Sequence, residues 1–333
     1  VAMHPWSEMV KFARTGGEAN SISIRIARAA SSKDNIAFCG YHGWHDWYLS
    51  SNLGNKNNLD EHLISSLNPL GVPNNLKNTA FPFSYGDFKT LEKLIKKRNI
   101  GIIKMEVCRS SKPDILFLKK VRNIATKKKI ILIFDECTSG FRESFGGLQK
   151  KINIKPDILI LGKALGNGYP ITAVLGKKEI MEYAEKTFIS STFWTDRIGP
   201  TAAIKTLEIM EKVKSWEKIT KMGNYLNNQW KKIAKENNLN IKIEGLPAIS
   251  KFTIKSNNFN AYKTFITQEM LKKKFLASNT VYLSIYHDKK IINEYLSILN
   301  DLFGVIKKCE SGNENIFKKL EGPVAKKPFE RLN

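Results

Sequence analysis

One stretch of the chain, residues 157–170, combines an apolar run, a single lysine and a glycine-rich turn. It reads Asp-Ile-Leu-Ile-Leu-Gly-Lys-Ala-Leu-Gly-Asn-Gly-Tyr-Pro, with the lysine at position 163. A short, wholly apolar run bounded by turn residues is typical of a strand that is buried on both faces of a sheet. Because Lys163 stands at the mouth of this strand, we expect burial to disfavour its charged form and to make its amine nucleophilic near neutral pH.

A second apolar run ends in a carboxylate. Residues 130–136 read Ile-Ile-Leu-Ile-Phe-Asp-Glu, which places Asp135 at the end of the predicted strand. A pyridoxal-phosphate enzyme needs a lysine that forms a Schiff base and an aspartate that pairs with the pyridinium nitrogen. Taken by itself, Lys163 would be interpreted as a solvated lysine. Asp135 by itself would be interpreted as a turn residue or as a metal-binding carboxylate. The hypothesis of a pyridoxal-phosphate site therefore depends on the two together.

Length and composition bear on the number of domains, and the net charge bears on the binding partners. A chain of 333 residues with 42% hydrophobic residues predicts one large or two ordinary domains with a sizeable core. The formal net charge of +23 comes from lysines spread over nearly every predicted helix, together with many Ile and Asn residues. This spread is typical of solvated faces, so we predict no nucleic-acid partner. The charge would still steer anionic substrates.

Targeting and redox signals are weak. No apolar run reaches membrane-spanning length and no signal peptide is visible, so we predict no membrane association. The four cysteines show neither disulfide nor metal spacing, and among the histidines only positions 42 and 45 are close, which favours a cytoplasmic protein without a zinc site. The chain begins at Val1, inside what reads as a helix that runs into residues 9–13. We therefore expect a fragment or processed chain that lacks an N-terminal portion.

Strand-like and helix-like segments alternate over the first two thirds of the chain. This alternation, with strands that are fully apolar, predicts an α/β fold with a mostly parallel sheet covered on both faces. Residues 53–81, rich in Asn, Gly and Pro, are predicted to form a long functional loop. The predicted helices are residues 18–30, 87–97 and 114–128, and the predicted strands are residues 36–39, 100–106, 130–135, 157–161 and 171–175.

The pattern changes after Pro200. A long helical region reaches about residue 237, and the remaining chain mixes three short strands (near residues 241–243, 252–254 and 281–285) with helices at residues 262–274 and 289–308. We predict a large domain over residues 1–237, including this interdomain helix, and a smaller C-terminal α+β domain over residues 238–333.

A third element stands ahead of the first predicted helix. Thr15, Gly16 and Gly17 precede it, so their backbone N–H groups and the positive end of the helix dipole meet at one place. Such a turn is often a plain N-cap. Here it lies at the same edge of the sheet as Asp135 and Lys163, where open α/β sheets bind ligands. We therefore predict that it binds the cofactor phosphate.

Four further residues are candidates for this site. Tyr41 and His42 follow the strand at residues 36–39, so an aromatic ring there could stack on a planar cofactor with His42 beside it. Cys137 would share the face of Asp135 and pack against the ring, and Glu106 ends another strand and should reach the site.

In order along the chain, four motifs resemble those of class III pyridoxal-phosphate-dependent aminotransferases, most closely the subgroup similar to glutamate-1-semialdehyde aminomutase. The resemblance runs from about residue 10 to residue 203 and weakens toward the C-terminus. It implies a type I pyridoxal-phosphate-transferase large domain with a seven-stranded sheet. The motifs are residues 15–19 (Thr-Gly-Gly-Glu-Ala), 41–43 (Tyr-His-Gly), 135–142 (Asp-Glu-Cys-Thr-Ser-Gly-Phe-Arg) and 161–170 (Leu-Gly-Lys-Ala-Leu-Gly-Asn-Gly-Tyr-Pro).

The resemblance also implies roles. Lys163 would be the Schiff-base lysine and proton shuttle, and Asp135 would hold the pyridine nitrogen protonated. Residues 15–17 would bind the phosphate, Tyr41 would stack on the ring, and Glu106 would lie toward the substrate. The family forms homodimers with shared active sites, in which a threonine of the partner subunit touches the phosphate. Thr192 or Thr195 could serve here, and Thr192 is favoured because two bulky aromatics separate it from Thr195.

The chain departs from the family pattern at several positions. Gly17 stands where Ser or Thr is usual, Cys137 where Val is common, Val107 where Pro is usual, and Gly199 where Asn precedes the proline. The family's first hundred or so residues, which carry part of the substrate pocket and of the dimer interface, have no counterpart in the sequence.

The leading hypothesis is an aminotransferase that moves an amino group between a small-molecule amino donor and a carbonyl acceptor. An aminomutase, which moves the group within one molecule, is the first alternative. A non-catalytic relative of the fold is disfavoured by the intact Lys163 and Asp135. A nucleotide-binding protein is disfavoured because both the P-loop and the three-glycine dinucleotide motif are absent.

Overall fold

The computed structural model describes residues 2–60, 62, 67–108 and 112–325. Contacts divide the chain into two compact units, Val1–Val213 and Lys214–Asn333. The division falls earlier than the predicted boundary at residue 237. The helix Ser215–Glu236 belongs to the second unit because its buried Trp230 lies in one apolar cluster with Phe252. Each unit is described separately.

A seven-stranded sheet forms the centre of the first unit. The strands are β1 (Met9–Ala13), β2 (Asn35–Cys39), β3 (Ala80–Pro82), β4 (Ile100–Glu106), β5 (Ile131–Glu136), β6 (Ile158–Leu161) and β7 (Thr172–Gly176). Their order in the sheet is β1-β7-β6-β5-β4-β2-β3. The neighbouring pairs among β2, β3, β4, β5 and β6 are parallel, and β7 pairs antiparallel with both β6 and β1. The predicted, mostly parallel seven-stranded sheet is therefore confirmed.

Two segments differ from the sequence prediction. Residues 9–13 form the edge strand β1 rather than part of a helix, because side chains of alternating exposure extend along β7 in an antiparallel register. The predicted loop at residues 53–81 contains a 3₁₀ turn at Asn74–Leu76 and ends in strand β3. Of that loop, residues 61 and 63–66 lie outside the described residues.

Helices cover the sheet, and three of them begin at a side-chain cap. The side chains of Thr15, Asp87 and Asp114 each accept a backbone N–H three residues ahead, so these three helices start near the predicted residues. The helices are α1 (Gly16–Ser31), α2 (Asp46–Leu49), α3 (Ser51–Gly54), α4 (Phe88–Lys97), α5 (Ile115–Lys127), α6 (Leu148–Lys151), α7 (Lys178–Met181), α8 (Tyr183–Lys186) and α9 (Ile198–Val213). Two further 3₁₀ helices are Lys163–Leu165 and Thr192–Thr195.

The central strands are buried on both faces. Every residue of β4, β5, β6 and β7 is buried. Helix α1 packs against these four strands, where Ile102, Ile133 and Ile160 share its apolar cluster, whereas α4 and α5 contact β2 and β5 respectively. Because both faces are covered, the open edge at the carboxyl ends of the parallel strands is the natural place for a ligand.

The second unit is a smaller α+β domain, as predicted. Trp230, Phe252 and Phe303 are fully buried at its centre. Its elements are α10 (Ser215–Glu236), β8 (Ile241–Glu244), β9 (Ile249–Ile254), α11 (Phe259–Lys272), β10 (Thr280–Tyr282), α12 (Lys289–Glu310) and a 3₁₀ turn at Ile316–Lys319. Across the described residues of both units, every helix is too short or too polar to cross a membrane.

Candidate active site

The carboxyl ends of neighbouring strands bring the predicted site residues together. β5 lies between β4 and β6, so Asp135 is flanked by Glu106 on one side and by the turn that carries Lys163 on the other. Glu106 and Asp135 are register partners, and parallel register partners point to the same face of the sheet. This edge is the candidate active site.

Asp135 is a buried carboxylate with two hydrogen-bond donors. Its Oδ2 lies 2.9 Å from Nδ1 of His42, and its Oδ1 accepts the backbone N–H of Cys137 at 3.0 Å. Burial by itself raises the pKa of this carboxyl. The hydrogen bond from His42, the charges of His42 and Lys104 and the N–H of Cys137 outweigh that effect and hold the pKa of Asp135 well below its ordinary value. Asp135 is therefore ionised and oriented.

The segment after β2 joins Asp135 to Glu106. His42 is buried and stacks on Trp47, with ring centroids 6.1 Å apart. The backbone N–H of Tyr41 donates to Oε2 of Glu106 at 3.0 Å, so this carboxylate fixes the start of the segment. The Tyr41 ring meets Tyr48 edge-on and is partly exposed. Both residues thus lie at the predicted edge of the sheet.

The turn at residues 15–17, which was predicted to bind the cofactor phosphate, caps α1 at the same edge of the sheet. Thr15 Oγ1 accepts the N–H of Glu18 at 3.2 Å. A Cβ atom built on Gly16 would lie 3.6 Å from Sγ of Cys137, so the turn contacts the residue that follows β5. A Cβ atom on Gly17 would lie 3.0 Å from the His45 ring, so this side chain crowds the position. The turn, Cys137 and Asp135 are therefore neighbours.

Lys163 is at the expected edge but is not buried. It begins the 3₁₀ helix after β6, its side chain is exposed, and its Nζ donates to Oγ1 of Thr138 at 2.8 Å. The expectation that burial disfavours its charge is therefore wrong for this structure, because the chain turns outward at the end of the strand instead of continuing into the core. Its φ of 45° lies in the left-handed region, which is costly for a residue with a Cβ. Strain of this kind clusters at functional sites.

The candidate partner threonines lie on a separate exposed turn. Thr192 and Thr195 are both exposed at the two ends of one 3₁₀ helix. Arg14 holds this turn on the first unit: its guanidinium lies 3.5 Å from the Phe193 ring centroid and 2.8 Å from Oδ2 of Asp196. The structure thus leaves both hydroxyls accessible and does not choose between them.

Three polar residues in or next to the site were missed in the sequence analysis. Thr138 contacts Lys163, and its position within the motif at residues 135–142 was the available signal. Glu136 is buried and accepts from Ser139 and from the backbone N–H groups of Leu148 and Gln149, so it holds the loop after β5. Lys104 is buried inside β4, where a lysine in an apolar run resembles an ordinary strand position.

Sequence comparison gives the family. The sequence profile of the aminotransferase class-III family matches residues 1–274. The chain is 32% identical to the 3-aminobutyryl-CoA aminotransferase of Cloacimonas acidaminovorans (strain Evry), over 85% of this chain and 66% of that protein. It is 30% identical to the glutamate-1-semialdehyde 2,1-aminomutase of Wigglesworthia glossinidia brevipalpis, over 91% of this chain and 75% of that protein. The chain therefore spans about two thirds to three quarters of the length of these relatives.

Solved structures give the fold. The FumI protein of Sphingopyxis sp. MTA144, solved in a pyridoxal-phosphate-bound form, superposes with a TM-score of 0.82 at 20% identity, over 96% of this chain and 76% of that one. An omega-transaminase from Sphaerobacter thermophilus superposes with a TM-score of 0.77 at 19% identity, over 90% and 74%. The predicted transaminase fold is confirmed. With the profile match over most of its length, this chain belongs to the class III aminotransferase family.

Proposed function

We propose that this protein is a pyridoxal-phosphate-dependent aminotransferase that moves an amino group between an amino donor and a carbonyl substrate. The observation that carries the proposal is the placement of an ionised, buried Asp135 and of Lys163 at the carboxyl ends of adjacent strands. An amine and a fixed carboxylate at one strand edge are the two groups that this cofactor chemistry requires of a protein. Membership of the family supports the same activity.

The residues present fit the cofactor. The Asp135 carboxylate has acceptor capacity left after its bonds to His42 and Cys137, since each oxygen has two lone pairs. It can therefore accept the N–H of a protonated ring nitrogen. The turn at residues 15–17 offers backbone donors at a helix N-terminus to a phosphate. Tyr41 offers an aromatic face, and Cys137 packs between this turn and the strand end.

Each residue then has a defined task. When bound, pyridoxal phosphate supplies an aldehyde carbon for amines and a ring that accepts the electron pair left by a lost proton. Lys163 Nζ would hold the cofactor at its aldehyde carbon, would give up that position to an incoming amine, and as a free amine would accept and return the proton at the substrate Cα. Thr138 Oγ1 holds Nζ between these steps. Glu106 lies on the substrate side.

The assembled protein is proposed to be a homodimer in which Thr192, or alternatively Thr195, reaches the phosphate bound by the other subunit. The exposed position of both hydroxyls supports this arrangement. A cytoplasmic location stays a prediction from the cysteine pattern.

An intramolecular amino transfer is the second candidate function. The similarity to glutamate-1-semialdehyde 2,1-aminomutases favours it. The two reactions use the same Lys163 and Asp135, so they differ only in whether the aminated cofactor exchanges its carbonyl partner with solution.

One experiment tests the cofactor and a second separates the two reactions. Purified protein with added pyridoxal phosphate should show a yellow absorbance band, and borohydride should bleach the band and leave the cofactor covalently attached to Lys163. Lys163→Ala should retain no covalently attached cofactor after the same treatment. A colourless wild-type protein would exclude the proposal. The aminated enzyme is then mixed with a panel of 2-oxo acids or with glutamate 1-semialdehyde. Recovery of the yellow band with a 2-oxo acid supports an aminotransferase, and net turnover with the semialdehyde alone supports an aminomutase.

A further inference from the structure

Behind the candidate active site lies a lysine that the reaction as described does not use. Lys104, in the middle of β4, is 0% exposed. Its Nζ donates to Oγ of Ser23 on α1 at 3.2 Å and lies 6.0 Å from the centroid of the Trp47 ring. A buried ammonium is costly unless nearby groups balance its charge, and an apolar residue would fill the same space more cheaply.

The balancing groups belong to the active-site edge. Lys104 is two residues before Glu106 on the same strand, and Glu106 is the register partner of Asp135, so the three side chains lie on one face of the sheet. Trp47, which Lys104 approaches, stacks on His42, and His42 is bonded to Asp135. The lysine thus adjoins the groups that orient the aspartate.

Lys104 and Asp135 each affect the pKa of the other. Burial lowers the pKa of Lys104 to about 8, and the negative charges of Asp135 and Glu106 oppose this effect. In turn, the charge of Lys104 is among the causes that hold the pKa of Asp135 below its ordinary value. The groups that face Lys104 come from its own strand, from the end of β5, from α1 through Ser23, and from the α2 segment through Trp47.

We propose that Lys104 is a positioning residue, a buried cation that acts through Asp135 and, together with the hydrogen bond from His42, keeps this carboxylate charged and in place. The inference rests on the proposed function, because Asp135 matters to catalysis only as the partner of the cofactor ring nitrogen. Lys104 itself touches neither the cofactor nor the substrate in this arrangement.

The first test needs no cofactor. Unfolding of the full chain is compared for Lys104→Met, Asp135→Asn and the double variant, with Ile102→Met as the control at the same face of the same strand. Each single substitution multiplies the unfolding equilibrium constant by some factor, and independent effects would multiply it by both factors in the double variant. We expect the measured constant of the double variant to be about tenfold smaller than this product. Each single change removes one of the two charges and leaves the other less well balanced, whereas the double change removes both charges. Independent effects of the two changes would overturn the proposal.

The second test uses the cofactor-loaded protein. The pH midpoint of the visible band should rise by about one unit in Lys104→Met, because loss of a nearby positive charge makes the bound cofactor easier to protonate. It should stay at the wild-type value in Ile102→Met and in Ser23→Ala, which retains the charge. An unchanged midpoint in Lys104→Met would show a purely structural lysine. If wild-type protein forms no coloured complex, the proposed function fails, and the unfolding cycle still decides whether Lys104 and Asp135 are coupled.

Discussion

The imidazole of His42 lies between two acceptors: its Nδ1 is 2.9 Å from Oδ2 of Asp135, and its Nε2 is 3.2 Å from the carbonyl oxygen of Cys39. Both oxygens are hydrogen-bond acceptors, and each lies within hydrogen-bond distance of one ring nitrogen. The ring therefore ties the end of β2 to the end of β5, where it adjoins the buried carboxylate of Asp135.

Replacing His42 with Phe should expose this dependence. The change keeps an aromatic ring but leaves Asp135 as a buried charge without its closest partner, so we expect a loss of about 3 kcal/mol in unfolding free energy at pH 7. The pKa of Asp135 is lowered in the folded protein, so its stabilisation is present above its unfolded pKa and is lost as the pH falls through its folded pKa. In His42→Phe this loss should begin at higher pH. Denaturant titrations from pH 3 to 7, with His45→Phe as control, measure both effects.

Lys163 allows a comparison of strain and chemistry at one position. Its φ of 45° is tolerated by glycine but costly for any residue with a Cβ. We therefore expect Lys163→Gly to be about 1 kcal/mol more stable than Lys163→Ala. After borohydride treatment, neither variant should retain covalently attached cofactor. Thermal unfolding of both, without cofactor, gives the difference; equal stabilities would mean that the backbone relaxes and stores no strain.

The fold was largely predictable because its central strands are apolar throughout. Strands β4, β5 and β6 have no solvated face, so an uninterrupted apolar run was a sufficient signal, and the caps at Asp87 and Asp114 marked helix starts. β1 was misassigned because five residues are too few to separate a two-residue from a helical period, and its pairing with β7 is set by the distant chain.

The site was predictable where it lies at strand ends and not where it depends on long-range contacts. Strand order alone brings Asp135 near Lys163, but nothing local shows that Lys163 points outward or that its amine meets Thr138. Lys104 is the clearest case. Its importance comes from what surrounds it in the folded chain, Ser23 and Trp47 from two other elements.

Glu136 should make stability depend on pH in the opposite sense to Asp135. Burial raises its pKa to about 7, against the hydrogen bonds from Gln149, Leu148 and Ser139. Between about 4.5 and 7 the folded protein holds a proton that the unfolded chain has lost, so this residue's contribution to stability falls as the pH rises through that window. Glu136→Gln should flatten that part of the pH profile. The same substitution should lower the unfolding free energy by about 2 kcal/mol, because the amide N–H₂ would face backbone N–H donors. An unchanged slope in denaturant titrations from pH 4 to 8 would contradict the prediction.

Thr192 and Thr195 can be separated by paired substitutions. Thr192→Val and Thr195→Val both remove a hydroxyl and keep the shape of the side chain, and both residues are exposed, so neither should change folding by more than about 0.5 kcal/mol. If Thr192 binds the phosphate across a dimer, its variant alone should weaken pyridoxal phosphate binding by about tenfold. Equilibrium dialysis measures the affinity, and sedimentation confirms the dimer. A loss confined to Thr195→Val would assign the contact to that residue instead.

Substitutions at Gly17 test whether the His45 ring restricts the side chain that the turn at residues 15–17 can hold. A Cβ atom there would lie 3.0 Å from Cδ2 and 3.1 Å from Nε2 of His45, closer than a relaxed contact allows. Gly17→Ser alone should therefore displace the ring or the turn and weaken phosphate binding. In combination with His45→Ala the serine has room, and its hydroxyl can donate to the phosphate, so we expect affinity about tenfold above that of Gly17→Ser alone. His45→Ala by itself is the control. If the double variant binds no better than Gly17→Ser, crowding by His45 is not what excludes a hydroxyl residue from this position.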